Sequence, residues 1–131
     1  MFVDASAIIA ILVQESEAAA LAKRLEQAVE PRTSPIAVYE AVVGVARICN
    51  LSISAAQRIL DCFLEQAAVR IVPITAEIGR AALSAFERYG RGRHPAALNM
   101  GGCFAYACAR TLDVPILAKG DDFPQTDILI A

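Results

Sequence analysis

Apolar positions along this chain fall into short runs that end in polar residues and into longer helical stretches. The short runs predict extended segments at 1–3, 32–34, 69–74, 115–118 and 127–130. The longer stretches predict helices at 5–12, 15–28, 34–50, 54–67, 75–89 and 99–111. Strands that alternate with helices favour an α/β fold in which helices cover both faces of a mainly parallel sheet.

Residues typical of helix ends mark several of these boundaries. Ser34 followed by Pro35 predicts an N-cap and the first helical position. Ser54 and Gln57 have the spacing of a capping box, which predicts that the next helix opens at Ser54. Gly90 suits the left-handed conformation that commonly ends a helix.

Composition is typical of one compact unit. The 131 residues are 56% hydrophobic and 20% charged, which favours elements buried on more than one side. We therefore expect a single domain over 1–131. The longest apolar stretch, 5–13, falls short of the ~18 residues of a membrane span, and the N-terminus lacks a basic signal-peptide region. These features predict a cytosolic protein without a membrane partner.

Charge, cysteine spacing and motifs narrow the function classes. The net charge of −2 gives no general attraction to nucleic acid, so such binding would need a local basic patch and metal ions. The four cysteines lack metal-binding spacing and lie in apolar helical stretches, so we expect buried, reduced thiols. The only histidine, His94, lies in a basic loop and completes no nucleophilic arrangement. Gly101-Gly102 does not fit a phosphate-binding glycine loop.

Acidic residues follow two of the predicted strands. Asp4 comes directly after 1–3, and Asp121 and Asp122 follow 115–118. Ligands of parallel α/β sheets bind beyond the carboxyl ends of the strands. Each position also has a plain structural interpretation, because Asp4 can cap the next helix and Asp-rich turns are common in loops.

Glu40 adds a third acidic residue, on the mostly apolar face of the helix at 34–50. A charge there is costly unless it pairs with a basic side chain or binds a cation. Together with the strand-end acids, Glu40 can form a site for a hard divalent cation such as Mg²⁺ or Mn²⁺.

Five segments in fixed order form a recognisable pattern. They are MFVDASA at 1–7, Glu40 after Ser34-Pro35, RGRHPAALN at 91–99, CFAYA at 103–107, and PILAKGDDF at 115–123 with TDI at 126–128. Over nearly its whole length the chain resembles PIN-domain ribonucleases, most of all the VapC toxins of VapBC toxin–antitoxin pairs.

This resemblance implies a three-layer α/β/α sandwich of the PIN type, with a central, mainly parallel sheet of about four to five strands. It implies Mg²⁺- or Mn²⁺-dependent endonucleolytic cleavage of RNA phosphodiesters. It also implies a homodimer and a VapB-type antitoxin that plugs the acidic site and through which alone the protein would meet DNA.

The resemblance also assigns roles by position. Asp4 would be the principal metal ligand, Glu40 its acidic partner and Asp121 the last acidic ligand, with Asp122 the less favoured claimant. Ser6 would orient a water or phosphate near Asp4. Asn99 would cap the helix that follows it. The RNA backbone would be held by a basic set that can also be plain solvated surface: Arg91, Arg93, His94 and Lys119.

Gly102 departs from the family pattern, because the relatives usually carry an acid at this position, which is also where they place a metal ligand. With Asn99 as N-cap, Gly102 is the third helical residue, where an acid gains ~0.3–1 kcal/mol from the helix dipole. Glycine there instead loses up to ~1 kcal/mol against alanine. Either Gly102 inactivates the site or the remaining acids suffice. We favour inactivation, and with it weak metal binding.

Two alternative functions share some of these sequence features. A catalytically dead PIN domain can still bind an antitoxin and act as a regulatory module. A phospho-acceptor receiver domain also places acids at strand ends, but it would need paired acids after the first strand, where Asp4 stands alone. The apolar helices at 5–13 and 38–48 are either central core helices or surfaces for homodimerisation.

Overall fold

The computed structural model describes all residues, 1–131, and is built around a parallel sheet. The strand order is β3-β2-β1-β4, and every pairing is parallel. The strands are β1 (Phe2–Val3), β2 (Arg32–Thr33), β3 (Arg70–Ile71) and β4 (Ile116–Leu117). The predicted parallel sheet of four to five strands is confirmed. The predicted strand at 127–130 is wrong, because only a single bridge joins Ile130 to Ile116.

Six α-helices flank this sheet in the three-layer α/β/α arrangement expected of a PIN-like fold. They are α1 (Ala5–Leu12), α2 (Ala18–Glu26), α3 (Pro35–Cys49), α4 (Ile53–Gln66), α5 (Ala76–Tyr89) and α6 (Met100–Thr111). A short 3₁₀ turn, Phe123–Gln125, follows β4. None of these helices combines the length and the apolar character that crossing a bilayer requires.

The strands are shorter than the apolar runs that predicted them. At the sheet edge, the predicted strand at 69–74 is reduced to Arg70 and Ile71, both exposed. The Val72 N–H still donates to the Thr33 carbonyl at 2.8 Å, and Pro73 then has no N–H to continue the ladder. By contrast, β1 and β4 at the other side of the sheet are fully buried.

Two of the predicted helix boundaries are corrected. The capping box at Ser54 is wrong, because α4 begins at Ile53 and the Ser52 hydroxyl accepts the Ala55 N–H at 3.1 Å. Gly90 is not left-handed, since its φ is −68° and its ψ is 159°. A side chain at Gly90 would overlap the ring and carbonyl of Phe86, so close approach requires glycine there.

The cysteine prediction is half right. All four thiols are free, and Cys103 and Cys108 are buried in α6, where burial raises the pKa of the Cys108 thiol to about 11. Cys49 and Cys62 are exposed. They lie at the last residue of α3 and on the outer face of α4, where an apolar sequence neighbourhood does not imply burial.

A core of 33 buried hydrophobic residues joins the sheet to the helices. Within it, α1 packs closely on α3, because a Cβ at Gly44 would lie only 2.6 Å from Ile9 Cδ1. This approach brings Asp4, which precedes α1, to the same side of the molecule as Glu40 on α3.

Candidate active site

A cleft of about 520 Å³ opens at the carboxyl ends of β1 and β4. Its walls come from the start of α1, the exposed side of α3, the start of α6 and the loop after β4. The polar residues that line it are Asp4, Ser6, Tyr39, Glu40, Arg47, Asn99, Lys119 and Asp122. Elements far apart in sequence therefore place three carboxylates around one opening.

Asp4 caps α1, as its structural interpretation predicts, and it also lines the cleft. Its side chain is only 7% exposed, and Oδ2 accepts the Ser6 N–H at 3.0 Å and the Ser6 hydroxyl at 2.6 Å. Burial raises the pKa of the Asp4 carboxyl, the hydrogen bonds of Ser6 and Ala5 oppose this, and the charge of Asp122 raises it further. A cation beside such a buried carboxylate would stabilise its ionised form.

Ser6 connects two parts of the site. Its hydroxyl donates to Asp4 and accepts the Lys119 backbone N–H at 3.0 Å. The expected task of orienting a water or phosphate is thus joined by a structural one, because Ser6 ties the residue after β1 to the loop after β4. The hydrogen bond that the Ser6 hydroxyl donates to Oδ2 orients the Asp4 carboxylate.

Glu40 reaches the cleft from α3, one and a half turns after the Ser34 cap. Its half-buried carboxylate makes no ion pair, so pairing with a surface Arg or Lys is wrong as an explanation of this residue. The carboxylate lies directly against the backbone of Gly101. Burial, and then the charge of Asp4, raise the pKa of Glu40.

The loop after β4 places Asp122 in the cleft and leaves Asp121 outside it. This reverses the preference for Asp121 drawn from the sequence. Gly120 turns the chain with a φ of +93°, and the buried Phe123, which also lines the cleft, anchors the residue before it. Asp121 is exposed, and its backbone carbonyl accepts Gln125 Nε2 at 3.1 Å.

The donor chemistry of Asp4, Glu40 and Asp122 fits a hard divalent cation, since carboxylate oxygens are its preferred ligands and positive charge would relieve the burial and repulsion that raise the pKa values of Asp4 and Glu40. Their number and spacing fit less well, because no three acidic, histidine or cysteine side chains close into one metal-binding group. The residues present therefore provide oxygen ligands of the right type but an incomplete set.

Gly102 lines this cleft at the start of α6 without contributing an oxygen atom to it. Asn99 is the N-cap, as expected, and its Oδ1 accepts the Gly102 N–H at 2.8 Å. A Cβ at Gly102 would meet Asn99 Oδ1 and Leu98 Cδ2 at 3.3 Å each, a tight contact rather than an overlap. No backbone strain requires glycine here, because Gly102 does not have a positive φ.

The basic residues expected to hold RNA lie mostly elsewhere. None of Arg91, Arg93 and His94 lines the cleft. The Arg93 guanidinium lies 5.5 Å from the centre of the Phe86 ring, and His94 Nδ1 accepts the Ala96 N–H at 3.1 Å. Arg93 therefore already has a partner on α5, and His94 has one within its own loop.

Lys119 does line the cleft, but its charge is already paired. Its ammonium group donates to Glu15 and lies 3.9 Å from Glu17. The hydrogen bond to Glu15, with the charges of both glutamates, raises the pKa of Lys119. No local pattern predicts this pairing, since Glu15 and Glu17 precede Lys119 by more than a hundred residues.

Arg47 is a lining residue that the sequence reasoning missed. It lies on α3 seven residues after Glu40, and it is exposed without an ion pair. The helical spacing of seven residues, which places two side chains on the same face, was the signal that could have identified it.

Comparison with known proteins assigns this fold and cleft to a family. The family model described as PIN domain matches residues 1–129. The chain belongs to the PIN-domain family. A VapC ribonuclease of Rhizobium meliloti is 38% identical over 139 residues, covering 97% of this chain and 98% of the relative. Ribonuclease VapC30 of Mycobacterium tuberculosis is 41% identical over 133 residues, covering 98% and 95%.

Solved structures agree on the fold of this PIN domain. VapC20 of Mycobacterium tuberculosis, described as a sarcin–ricin loop cleaving toxin, superposes with a TM-score of 0.78 at 19% identity, covering 99% of this chain and 97% of that one. A toxin–antitoxin complex from Klebsiella pneumoniae gives 0.74 at 14% identity, covering 99% and 95%. The VapC-type resemblance is thereby confirmed, and with it membership in a class of ribonucleases that depend on divalent metal ions.

Proposed function

We propose that this PIN domain is the toxin of a toxin–antitoxin pair and a metal-dependent endoribonuclease whose activity Gly102 weakens. One observation carries the proposal: Asp4, Glu40 and Asp122 line a single cleft beyond the carboxyl ends of β1 and β4. The names of the VapC relatives supply the reaction class.

In this proposal Asp4, Glu40 and Asp122 hold Mg²⁺ or Mn²⁺, which would lower the pKa of a water and stabilise charge on the phosphate. Ser6 keeps the Asp4 carboxylate oriented by donating to Oδ2. Its second bond, from the Lys119 N–H, holds the loop that carries Asp122 against β1. Asn99 fixes the first turn of α6, so that position 102 faces the same cleft.

Gly102 weakens the site because an anionic ligand is lost from a hard-cation site that has no surplus of carboxylates. Asp121, outside the cleft, cannot replace it. The chain as written is then expected to bind metal poorly and to cleave RNA slowly, with Asp122 rather than Asp121 as the last acidic ligand.

The partners follow from the same family. A toxin of this class is neutralised by a cognate antitoxin of the VapB type, and the Klebsiella pneumoniae neighbour was solved as a toxin–antitoxin complex. We expect a cytoplasmic homodimer that acts as one unit over 1–131, with DNA reached only through the antitoxin. Exposed apolar side chains on α3 and α4, among them Ile48, Ile53 and Ile59, favour association with a second chain.

A second candidate is an antitoxin-binding module without catalysis. Gly102 is the observation that favours it, because a site short of one acid can keep its shape and lose its metal. This candidate predicts that the chain as written binds a cognate antitoxin and cleaves no RNA in Mn²⁺.

The test is the cleavage of a fluorescent single-stranded RNA by the Gly102→Asp variant in Mn²⁺, beside the chain as written. We expect the variant to be at least about 10-fold faster, since changes even to the groups that orient metal ligands commonly alter activity by about 10- to 100-fold. The matched control is Gly102→Asp with Asp4→Asn, which should be as slow as the chain as written, and EDTA should stop the reaction. A silent Gly102→Asp variant that folds normally would overturn the proposed nuclease activity.

A further inference from the structure

Among the charged side chains that line the cleft, one arginine is free to attract a phosphate. Its floor carries Asp4, Glu40 and Asp122, and only two cationic residues, Arg47 and Lys119, line it. Lys119 is held by Glu15 and Glu17. Arg47 is exposed and has no ion pair. An anionic strand that enters this acidic cleft therefore finds one unpaired positive charge in its walls.

Arg47 belongs to a ridge of α3. Tyr39, Val43 and Arg47 follow one another at intervals of four residues, which places them along one side of the helix. All three line the cleft and are exposed, Tyr39 by 70% and Val43 by 41%. We call these three residues the α3 ridge. Along the ridge, the Tyr39 ring can stack on a base and the Arg47 guanidinium can bind a phosphate of the same RNA strand, with the apolar Val43 between them.

The spacing of the ridge also fits. Arg47 lies seven residues beyond Glu40, or about 10 Å along the helix axis at ~1.5 Å per residue. At ~3.4 Å per stacked nucleotide, that separation corresponds to roughly three nucleotides of one strand. An RNA strand whose reacting phosphate lies at the acids can thus place a phosphate roughly three nucleotides away at Arg47.

We propose that the α3 ridge binds single-stranded RNA, with Arg47 holding a backbone phosphate roughly three nucleotides from the cleavage point and Tyr39 stacking on an unpaired base. The inference rests on the proposed ribonuclease function and names its substrate class. Duplex RNA is excluded from this mode, because paired bases hide the faces on which Tyr39 would stack. Arg91 and Arg93, outside the cleft, take no part in it.

The experiment measures fluorescence anisotropy of a labelled oligouridine 12-mer with the chain as written, in EDTA at low salt, so that cleavage does not interfere. Arg47→Gln should weaken binding several-fold and lower the slope of log K against log salt by about 0.7, the value for one phosphate contact on a single strand. Tyr39→Leu should weaken binding about 5- to 100-fold, whereas Tyr39→Phe, which keeps the ring, should bind normally.

Controls are available within the chain. Arg91→Gln removes an exposed arginine outside the cleft and should leave affinity and salt slope unchanged. An RNA duplex of the same length should bind all variants alike and weakly. Oligouridine binding that is indifferent to Arg47→Gln and Tyr39→Leu would overturn the inference, as would an equal loss with Arg91→Gln.

The remaining outcomes separate this inference from its foundation. If Tyr39→Leu leaves RNA affinity unchanged and light scattering shows that it dissociates a dimer, the ridge is a contact between copies and the inference is wrong. Cleavage by Gly102→Asp without any effect of ridge substitutions on RNA affinity overturns the ridge alone. Ridge-dependent RNA binding with no cleavage by Gly102→Asp overturns the nuclease activity alone.

Discussion

Gly101 and Gly102 are neighbours at the start of α6, yet an added Cβ would overlap a neighbouring side chain at only one of them. A Cβ at Gly101 would overlap the carboxylate of Glu40. A Cβ at Gly102 would make only tight contacts of 3.3 Å, with Asn99 and Leu98. Gly101 is buried against the site, whereas Gly102 is partly exposed at the cleft.

The contrast separates a glycine that makes room for a carboxylate from one at which we propose that a ligand is missing. The missing side chain at Gly101 makes room for the Glu40 carboxylate. At Gly102, the proposed function requires an acid that glycine does not supply. Similar losses of helix propensity, up to ~1 kcal/mol each, therefore have opposite consequences for the cleft.

The largest expected effect comes from filling the space at Gly101 in an activated protein. In the Gly102→Asp background, Gly101→Ala should lower Mn²⁺ affinity about 10- to 100-fold, the usual effect of disturbing the support of a metal ligand. The Glu40 carboxylate is the flexible end of its side chain and can move aside, so the protein should stay folded. Electron paramagnetic resonance of Mn²⁺ provides the affinity, and circular dichroism the fold.

A shorter acid provides the matched control for this substitution. On a Glu40→Asp background, the carboxylate is withdrawn by one methylene and no longer meets the new Cβ. Gly101→Ala should then change Mn²⁺ affinity much less than it does with Glu40 present. Equal losses on both backgrounds would mean that Gly101 does not act through Glu40 and would remove the contrast between the two glycines.

A smaller effect is expected in the pH dependence of stability without metal. Burial raises the folded pKa values of Asp4 and Glu40 above the ordinary values of these groups, 3.8 and 4.5. The folded state then binds more protons than the unfolded state, so stability falls as pH rises from about these values through the raised ones. An added carboxylate in the Gly102→Asp variant should steepen this fall, because it repels both neighbours.

Urea unfolding of the metal-free protein at a series of pH values measures the slope. Gly102→Asn, the uncharged counterpart, should follow the chain as written, and saturating Mn²⁺ should remove the excess slope of Gly102→Asp. If Gly102→Asp and Gly102→Asn have the same pH profile, position 102 does not share the electrostatic environment of Asp4 and Glu40.

The smallest effect is on stability alone. Gly102→Ala should raise the free energy of unfolding at neutral pH by about 0.5–1 kcal/mol through helix propensity. Gly101→Ala should raise the free energy of unfolding less, because displacing the Glu40 carboxylate offsets part of the increase. With Glu40→Ala as background, the two substitutions should become equal, and a double-mutant cycle in urea measures the difference. An equal gain in the original background would contradict the close contact.

The fold could be predicted well from the sequence because local signals and global topology agree. Ser34-Pro35 begins α3 and Asn99 begins α6 as predicted. The errors lie where tertiary contacts override a local pattern. Gly90 serves the close approach of Phe86 rather than a left-handed turn, and 127–130 meets the sheet at a single residue.

The candidate site could be predicted only in part. Asp4 and Glu40 follow from position relative to a strand end and a helix face. The choice of Asp122 over Asp121 depends on the turn at Gly120, which residue order alone does not determine. The state of the basic residues depends on contacts across the chain, such as Glu15 with Lys119, and no local pattern reveals these.

The central claim, that the incomplete set of carboxylates in this cleft lacks an acid at position 102, is tested most directly by calorimetric titration with Mn²⁺ at neutral pH. The chain as written and the Gly102→Asp variant are compared in the same buffer. The account predicts weak or undetectable binding by the chain as written, and saturable binding at least about tenfold tighter by the variant. Binding by the chain as written that is as tight as that of the variant would contradict it.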